Sequence, residues 1–410
     1  MHIAFVISTL RGGGAERSVL ELAAGLIHRG HRVDIVLFRN RIHYPAEVPE
    51  STRLYAVEDR PDKLTEETAT DMLASLVALR GPARRFDWVQ MARALNWDLL
   101  CLPDRRMVRQ VRAMASYMES EKPDCVLPSL PRAKVATLLA GHLLEAHPPI
   151  IPILHSFVRY RRLRYKRRYR HLFAEATHFV GVSHGVSDSL ADTIGVPRDK
   201  VTTIYNPVVT PRLHAKMAQQ PTHPWLLDGG PPVIVSAGRL VKEKDYPTLI
   251  RAFGRLASRR RCRLIIVGEG KLRGNLQGLV RKLGLSNQVS IPGWVENPLT
   301  FMAHASCFVL SSRHEGLGLA LIEALACGCS CVSTDCPAGP AEILENGRFG
   351  LLVPVGDEAA LADAMDRALH KPWDKQMSMD RAAHFSDVAS VTAYEKLLGT
   401  LLDPPVTSTE

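Results

Sequence analysis

Short apolar runs alternate with helical patterns along this chain, and the alternation occurs twice. Runs such as IAFVIST (Ile3–Thr9), VIVSAG (Val233–Gly238) and CFVLSS (Cys307–Ser312) have no polar face. Strands of that kind must be covered on both sides, which a parallel sheet with helical crossovers provides. In the first half, Ile3–Thr9 leads through the glycine loop Arg11–Gly14 into a helix over Ala15–His28, ended by Gly30, and then a strand over Arg32–Phe38. That β-loop-α-β opening belongs to doubly wound sheets. Further buried strands are expected at Cys125–Pro128, Ile150–Leu154 and His178–Val182, with amphipathic helical stretches at Leu64–Arg80 and Arg105–Glu119. The Pro-, Gly- and polar-rich stretch Val201–Pro232 marks a linker.

A second alternation follows it. Strands at Val233–Gly238, Arg263–Gly268, Val289–Gly293, Cys307–Ser312 and Ser330–Asp335 are separated by helices over Tyr246–Ser258, Lys271–Leu283 and Pro298–His304 and by a glutamate-bearing helix that stops at Gly328. A chain of 410 residues is too long for one ordinary core. The expectation is therefore α/β, with two domains of one class facing a cleft at their strand C-termini, where open α/β sheets bind ligands. A final helix is expected over Asp387–Leu402.

Composition narrows the class. The apolar and charged fractions, 46% and 23%, are those of a soluble globular protein, and no apolar run approaches the ~18 residues that span a bilayer. The segment MHIAFVISTLRGGGAE lacks a basic leader and reads as a first strand rather than a signal peptide, which favours the cytoplasm. The eight cysteines show no framework spacing, so reduced buried thiols are expected rather than zinc. The net charge of +10 concentrates in RYRRLRYKRRYR, which holds Arg159, Arg161, Arg162, Arg164, Lys166, Arg167, Arg168 and Arg170. A solvated helix face, a nucleic-acid patch and an anionic membrane contact all compete for that run.

Three constellations carry chemistry. In SRHEGLGLALIEALACG, Glu315 precedes two glycines at the entry to a helix, and Glu323 lies one turn inside it. The helix-start amides between them form an anion site, so the pair suits a ligand with both phosphate and hydroxyls, such as a sugar nucleotide. In GRLVKEKD, Arg239 leaves the strand end and Lys244 lies five residues on, a fork and a point charge suited to a diphosphate but also readable as two surface cations. Gly12, Gly13 and Gly14 allow close approach of a ligand but lack the G-x-G-x-x-G spacing, and the second strand ends in Phe38-Arg39-Asn40 without an acid, which argues against an NAD dehydrogenase. His155 ends an apolar strand at the expected cleft edge, where structural and functional readings weigh about equally.

With these residues in hand, the second half resembles family four of the retaining glycosyltransferases, which have the GT-B fold of two Rossmann-like domains facing a central cleft. The motifs that carry the resemblance are SAGRLVKEKDYPTLIRAF, VGEGKLRGNL, IPGWVENP, FVLSSRHEGLGLALIEALACG, VSTDCPAGPAEIL and GLLVPVGD, in order from Val233 to Asp357, supported by GGGAER and VGVS…IYNPV in the first half. The resemblance implies that Arg239 and Lys244 neutralise the departing diphosphate, that Glu323 binds the ribose and that Glu315 faces the transferred sugar. It further implies that Gly316, Leu317, Gly318 and Leu319 contact the donor through backbone amides and that Val295 adjoins the base. Gly13 and Gly14 would lie near the donor phosphates and His155 near the sugar. Asp245 stands where many members have glycine.

The implied reaction is metal-independent and needs no cofactor beyond a nucleotide sugar, with UDP expected and GDP second. The implied acceptor is a glycan or a polyprenyl-diphosphate or other lipid-linked glycan, reached by a cytoplasmic protein peripheral on the inner face of the cytoplasmic membrane. The basic run after His155 mixes Arg, Tyr and Leu in a way that suits anionic lipid. The domains implied are 1–207 for the acceptor, 208–385 for the donor, and a C-terminal helix over 386–410 packing back on the first. The rival is a basic nucleic-acid- or membrane-binding α/β protein without transferase activity. Nucleic acid as a partner leaves Glu315 and Glu323 unexplained.

Overall fold

The computed structural model describes residues 1–43, 45–57, 105–158 and 170–402. It divides into two units: Met1–Val182 with Ser187–Ile204 and the residues from Val391 on, and Ser183–Val186 with Tyr205–Ser390. The helical stretch expected at Leu64–Arg80 lies outside the described residues.

The first unit contains β1 (His2–Ile7), β2 (Arg32–Leu37), β3 (Arg53–Ala56), β4 (Cys125–Pro128), β5 (Ile153–Leu154), β6 (Phe179–Gly181) and β7 (Val201–Thr203). All pairings are parallel, in the orders β3-β2-β1-β4 and β5-β6-β7. Isolated bridges from Val126 to Ile150 and from Ser129 to Ile153 link the two groups. Residues Ile3 to Ile7 are completely buried, as strands covered on both faces must be. The expected linker is not structureless. Its first residues form β7 at the sheet edge, and Thr210 caps a helix over Pro211–Met217 by accepting the Leu213 amide at 3.2 Å. The last helix, Asp387–Leu402, seats Val391 against Gly25 of helix Gly14–His28. A Cβ at Gly25 would lie 2.4 Å from the valine Cγ2, and His31 Nε2 meets Glu395 Oε1 at 3.0 Å.

The second unit contains β8 (Val233–Ala237), β9 (Arg263–Val267), β10 (Val289–Gly293), β11 (Cys307–Leu310), β12 (Cys331–Thr334) and β13 (Leu351–Val353) in the parallel order β10-β9-β8-β11-β12-β13. Helix Tyr246–Ala257 buries Leu249, Ile250 and Phe253 in a core shared with Ile234, Leu264 and Val309. Asp357 caps helix Glu358–His370, accepting the Ala359 and Ala360 amides at 3.0 and 2.9 Å. No helix among the described residues is long and apolar enough to cross a membrane.

Candidate active site

In the second unit the strand order reverses between β8 and β11. Loops leaving the carboxyl ends of two such strands diverge, and the crevice between them is where open α/β sheets hold ligands. The loop after β8 carries Arg239 and Lys244, and the loop after β11 carries Ser312 and Glu315. Lys244 Nζ lies 2.6 Å from Glu315 Oε1, and Ser312 Oγ donates to the same oxygen at 2.6 Å. The lysine is 19% and the glutamate 11% exposed, so the pair sits in a setting where its attraction is poorly screened. The loops are also stitched by their backbones: Ser311 Oγ donates to the Lys244 carbonyl at 2.8 Å, and the Arg313 amide to the Glu243 carbonyl at 2.8 Å. Asp245 occupies the left-handed region at φ 47°, held by Thr248 Oγ1 and Arg313 Nε at 2.9 Å each. Aspartate tolerates that region because its short side chain bonds locally.

Arg239 is anchored but free at its tip. The flanking amides of Gly238 and Leu240 donate to Val267 and Glu269 at 2.9 and 2.8 Å, and Leu240 is fully buried. The guanidinium is exposed and pairs with no side chain among the described residues. Glu315–Gly318 lead into helix Leu319–Ala326, with Gly318 at φ 99°, a conformation that favours glycine. Glu323 lies on the second turn of that helix, half-buried. Leu317 is 2% exposed, so its side chain packs inward and offers no contact to a ligand. Val295 and Glu296 line a cavity of about 250 Å³ with Lys216, Gln219, Thr222 and Asn297. Cys336 is buried near the ion pair, and burial together with the Glu315 carboxylate pushes its thiol up to about 12.

The first unit has its own reversal, between β1 and β4. There Gly13 is the residue before helix Gly14–His28, and its amide donates to Glu16 Oε2 at 2.6 Å while Thr9 Oγ1 donates to Glu16 Oε1 at 3.0 Å. Gly14 is the first helical residue, and its carbonyl accepts from Ser18 Oγ at 2.9 Å. The Gly13 amide is thus bonded within its own loop. His155 follows β5, its Nε2 3.3 Å from Ser129 Oγ and its Nδ1 buried without a partner among the described residues. Burial and the Lys134 ammonium push the imidazole down to about 3, so it is neutral at physiological pH. Burial likewise lowers Lys134, to about 8.

Of the basic run, Arg159, Arg161, Arg162, Arg164, Lys166, Arg167 and Arg168 lie outside the described residues. Arg170 is described, and its Nε donates to the Ile194 carbonyl at 3.2 Å. Ser312, Cys336 and the salt link between Lys244 and Glu315 were not foreseen from sequence. The serine has a local signal, three residues before the glutamate. The ion pair joins positions 71 apart and has none.

Comparison with known proteins follows the same division of the chain. Residues 12–212 match the family described as Glycosyltransferase Family 4, and residues 222–384 match Glycosyl transferases group 1. A glycosyltransferase from Rickettsia africae superimposes with a TM-score of 0.73 at 17% identity, covering 98% of this chain and 99% of its own. The chain has the GT-B fold, and its two parts each match a glycosyltransferase family model. Anabaena Alr3699/HepE, solved in complex with UDP, gives a TM-score of 0.70 at 18% identity over 98% of this chain and 100% of its own. Among curated relatives, the Campylobacter jejuni N-acetylgalactosamine-N,N'-diacetylbacillosaminyl-diphospho-undecaprenol 4-alpha-N-acetylgalactosaminyltransferase is 32% identical over 222 residues, 53% of this chain and 58% of its own length. The Rhizobium meliloti lipopolysaccharide core biosynthesis glycosyltransferase LpsE is 35% identical over 174 residues, 41% of this chain and 50% of its own. This chain therefore spans about half the length of the curated relatives it matches.

Proposed function

We propose that this chain is a retaining, metal-independent glycosyltransferase. It moves a hexose or N-acetylhexosamine from a nucleotide-diphosphate sugar, with UDP as the nucleotide, to a glycan or lipid-linked acceptor. The products belong to cell-envelope polysaccharide, lipopolysaccharide or glycoprotein glycan synthesis. One observation carries the reading: an exposed arginine, a lysine paired with a glutamate and a glycine-bounded helix start converge where strand order reverses in the second unit. The UDP complex of the Anabaena protein and the lipid-diphosphate name of the Campylobacter relative support the choice of nucleotide and acceptor class.

In this mechanism the bond between the anomeric carbon and the phosphate oxygen breaks with its electron pair going to the diphosphate. Arg239, Lys244 and the helix-start amides stabilise that growing charge. Glu315 faces the transferred sugar and Glu323 holds the ribose. The departing phosphate accepts the proton of the acceptor hydroxyl as the new glycosidic bond forms on the same face, so no enzyme nucleophile is required. The two glutamates thus bind rather than form an acid/base couple of the glycosidase kind. His155 contributes from the first unit as a neutral hydrogen-bonding group, and the run from Arg159 meets anionic lipid beside the acceptor.

A thermal-shift screen against UDP- and GDP-sugars tests the reading, since a bound donor raises apparent stability. Glu323→Ala is expected to remove most of that shift. Absence of a shift with every nucleotide sugar in the unmodified chain would overturn the assignment. Sedimentation with anionic vesicles tests the lipid contact, and replacing the arginines of the basic run by serine is expected to abolish it.

A further inference from the structure

The donor loop is held from behind by four residues that arrive from elsewhere in the chain. Ser183–Val186 belong to the second unit although the residues on either side belong to the first. Ser183 is fully buried, and its hydroxyl is used twice: it donates to the Gly316 carbonyl at 2.6 Å and accepts the Val186 amide at 3.2 Å. The segment itself is pinned by Glu342, whose carboxylate accepts the His184 and Gly185 amides at 2.8 and 2.9 Å. Arg381 in turn donates to the Glu342 and Ile343 carbonyls at 2.6 and 2.9 Å.

A second wall residue faces the next carbonyl. Gly339 sits at φ 96°, and a Cβ built there would lie 1.8 Å from the Leu317 oxygen. The two wall segments touch, since a Cβ at Gly185 would lie 2.7 Å from the Ala338 Cα. The carbonyls of Gly316 and Leu317 therefore both face the wall made by residues 183–185 and 338–339. A trans peptide plane points its carbonyl and its N–H in opposite directions. The amides of Leu317 and Gly318 accordingly face away from the wall, and no described residue accepts either of them. Two adjacent amides aimed one way form a concavity for anionic oxygen.

We infer that Ser183 is a positioning residue for the donor, turning the Gly316–Leu317 peptide so that the Leu317 and Gly318 amides point at the nucleotide-sugar diphosphate. The inference rests on the donor reading above and gives a role to Ser183, the last residue of the VGVS motif, to which no role was assigned above. Ser183 touches no substrate. It acts through the peptide whose oxygen it holds, so its loss frees that plane to rotate and blunts the anion site without removing a charge.

The test is calorimetric binding of UDP and GDP to the full chain carrying Ser183→Ala, with Ser183→Thr as the rescue that keeps the hydroxyl and the melting temperature of each unliganded protein recorded alongside. The expected result is a Kd for UDP raised about three- to tenfold in the alanine variant, the span of one lost hydrogen bond, with at least half of the loss recovered by threonine. A lowered melting temperature with unchanged nucleotide affinity would make Ser183 a helix cap and nothing more, and would overturn the inference. Should Ser183→Ala fail to fold, Glu342→Gln takes its place, because it loosens the same segment from behind. A Kd raised at least twofold supports positioning, and an unchanged Kd overturns it. No binding of UDP or GDP by the unmodified chain strikes the donor reading itself, an outcome distinct from either of these.

Discussion

The two points of strand reversal in this protein treat their polar groups in opposite ways. After β8 and β11 the groups remain available: Arg239 is exposed, and the Leu317 and Gly318 amides have no acceptor among the described residues. Lys244 and Glu315 neutralise each other across the crevice. After β1 and β4 the equivalent groups are consumed locally. The Gly13 amide is bonded to Glu16, and the partly buried His155, which follows β5, meets Ser129 with its charge suppressed. Topology alone thus does not make an anion site. One crevice keeps an arginine and two amides unpaired among the described residues, while the other presents a neutral imidazole and a capped helix.

The largest expected effect separates charge from architecture within the open crevice. Arg239→Ala should lower turnover by about 10²- to 10³-fold, the range for losing one preorganised charge stabiliser. It should leave stability nearly untouched, because the side chain is exposed and pairs with no side chain among the described residues. Normal turnover in purified Arg239→Ala protein would remove this residue from the site. Lys244→Ala should do both kinds of damage. It strands the half-buried Glu315 carboxylate, for which a loss of about 3 kcal/mol in denaturant unfolding is expected, together with a fall in turnover. If Lys244→Ala is as stable as the unmodified chain, the link to Glu315 is a weak surface contact.

Glu16→Ala probes the closed crevice. It removes the cap on the Gly13 amide and leaves the Thr9 hydroxyl without that partner, so stability should fall by about 1 kcal/mol, with UDP affinity unchanged. A gain in affinity would mean that the carboxylate screens the amide from the diphosphate, and the contrast between the two crevices would fail. The last test concerns pH. His155 is held down to about 3 in the fold against 6.5 for a free imidazole. The unfolded chain therefore binds the extra proton first. The contribution is fully present above pH 6.5 and is lost progressively as pH falls from there toward 3. His155→Gln should flatten that decline, and equal decline in both proteins would place the lost stability elsewhere.

Sequence carried the second unit further than the first. Strands β8, β9, β11 and β12 are continuous buried apolar runs, so their period and their cover by helices are visible locally. Strand β3 is not, because Arg53-Leu54-Tyr55-Ala56 mixes charge and apolar residues and leaves only Tyr55 well buried. Strand β7 is three residues with two threonines, opening a stretch whose prolines and glycines signal a linker. Thr210-Pro211 at the start of the helix inside that stretch is a legible cap that the linker reading passed over. Arg239, Lys244, Glu315 and Glu323 stand out in the sequence by their spacing within local motifs, and the structure places them on the loops after β8 and β11 and the helix that follows. The Ser183 contact with Gly316 was not legible, because it joins residues 133 apart through a hydroxyl that looks like any helix cap.

The seating of Val391 against Gly25 has a consequence for how the protein is made. Helix Asp387–Leu402 completes the layer that covers the first helix, so the opening unit emerges from the ribosome without one of its own pieces. Some 360 residues must be synthesised between the two surfaces that meet there. Until then an apolar face on helix Gly14–His28 waits uncovered, the situation in which nascent chains rely on chaperones and slow, long-range closure. A fragment stopped at residue 207 would carry the same open face permanently.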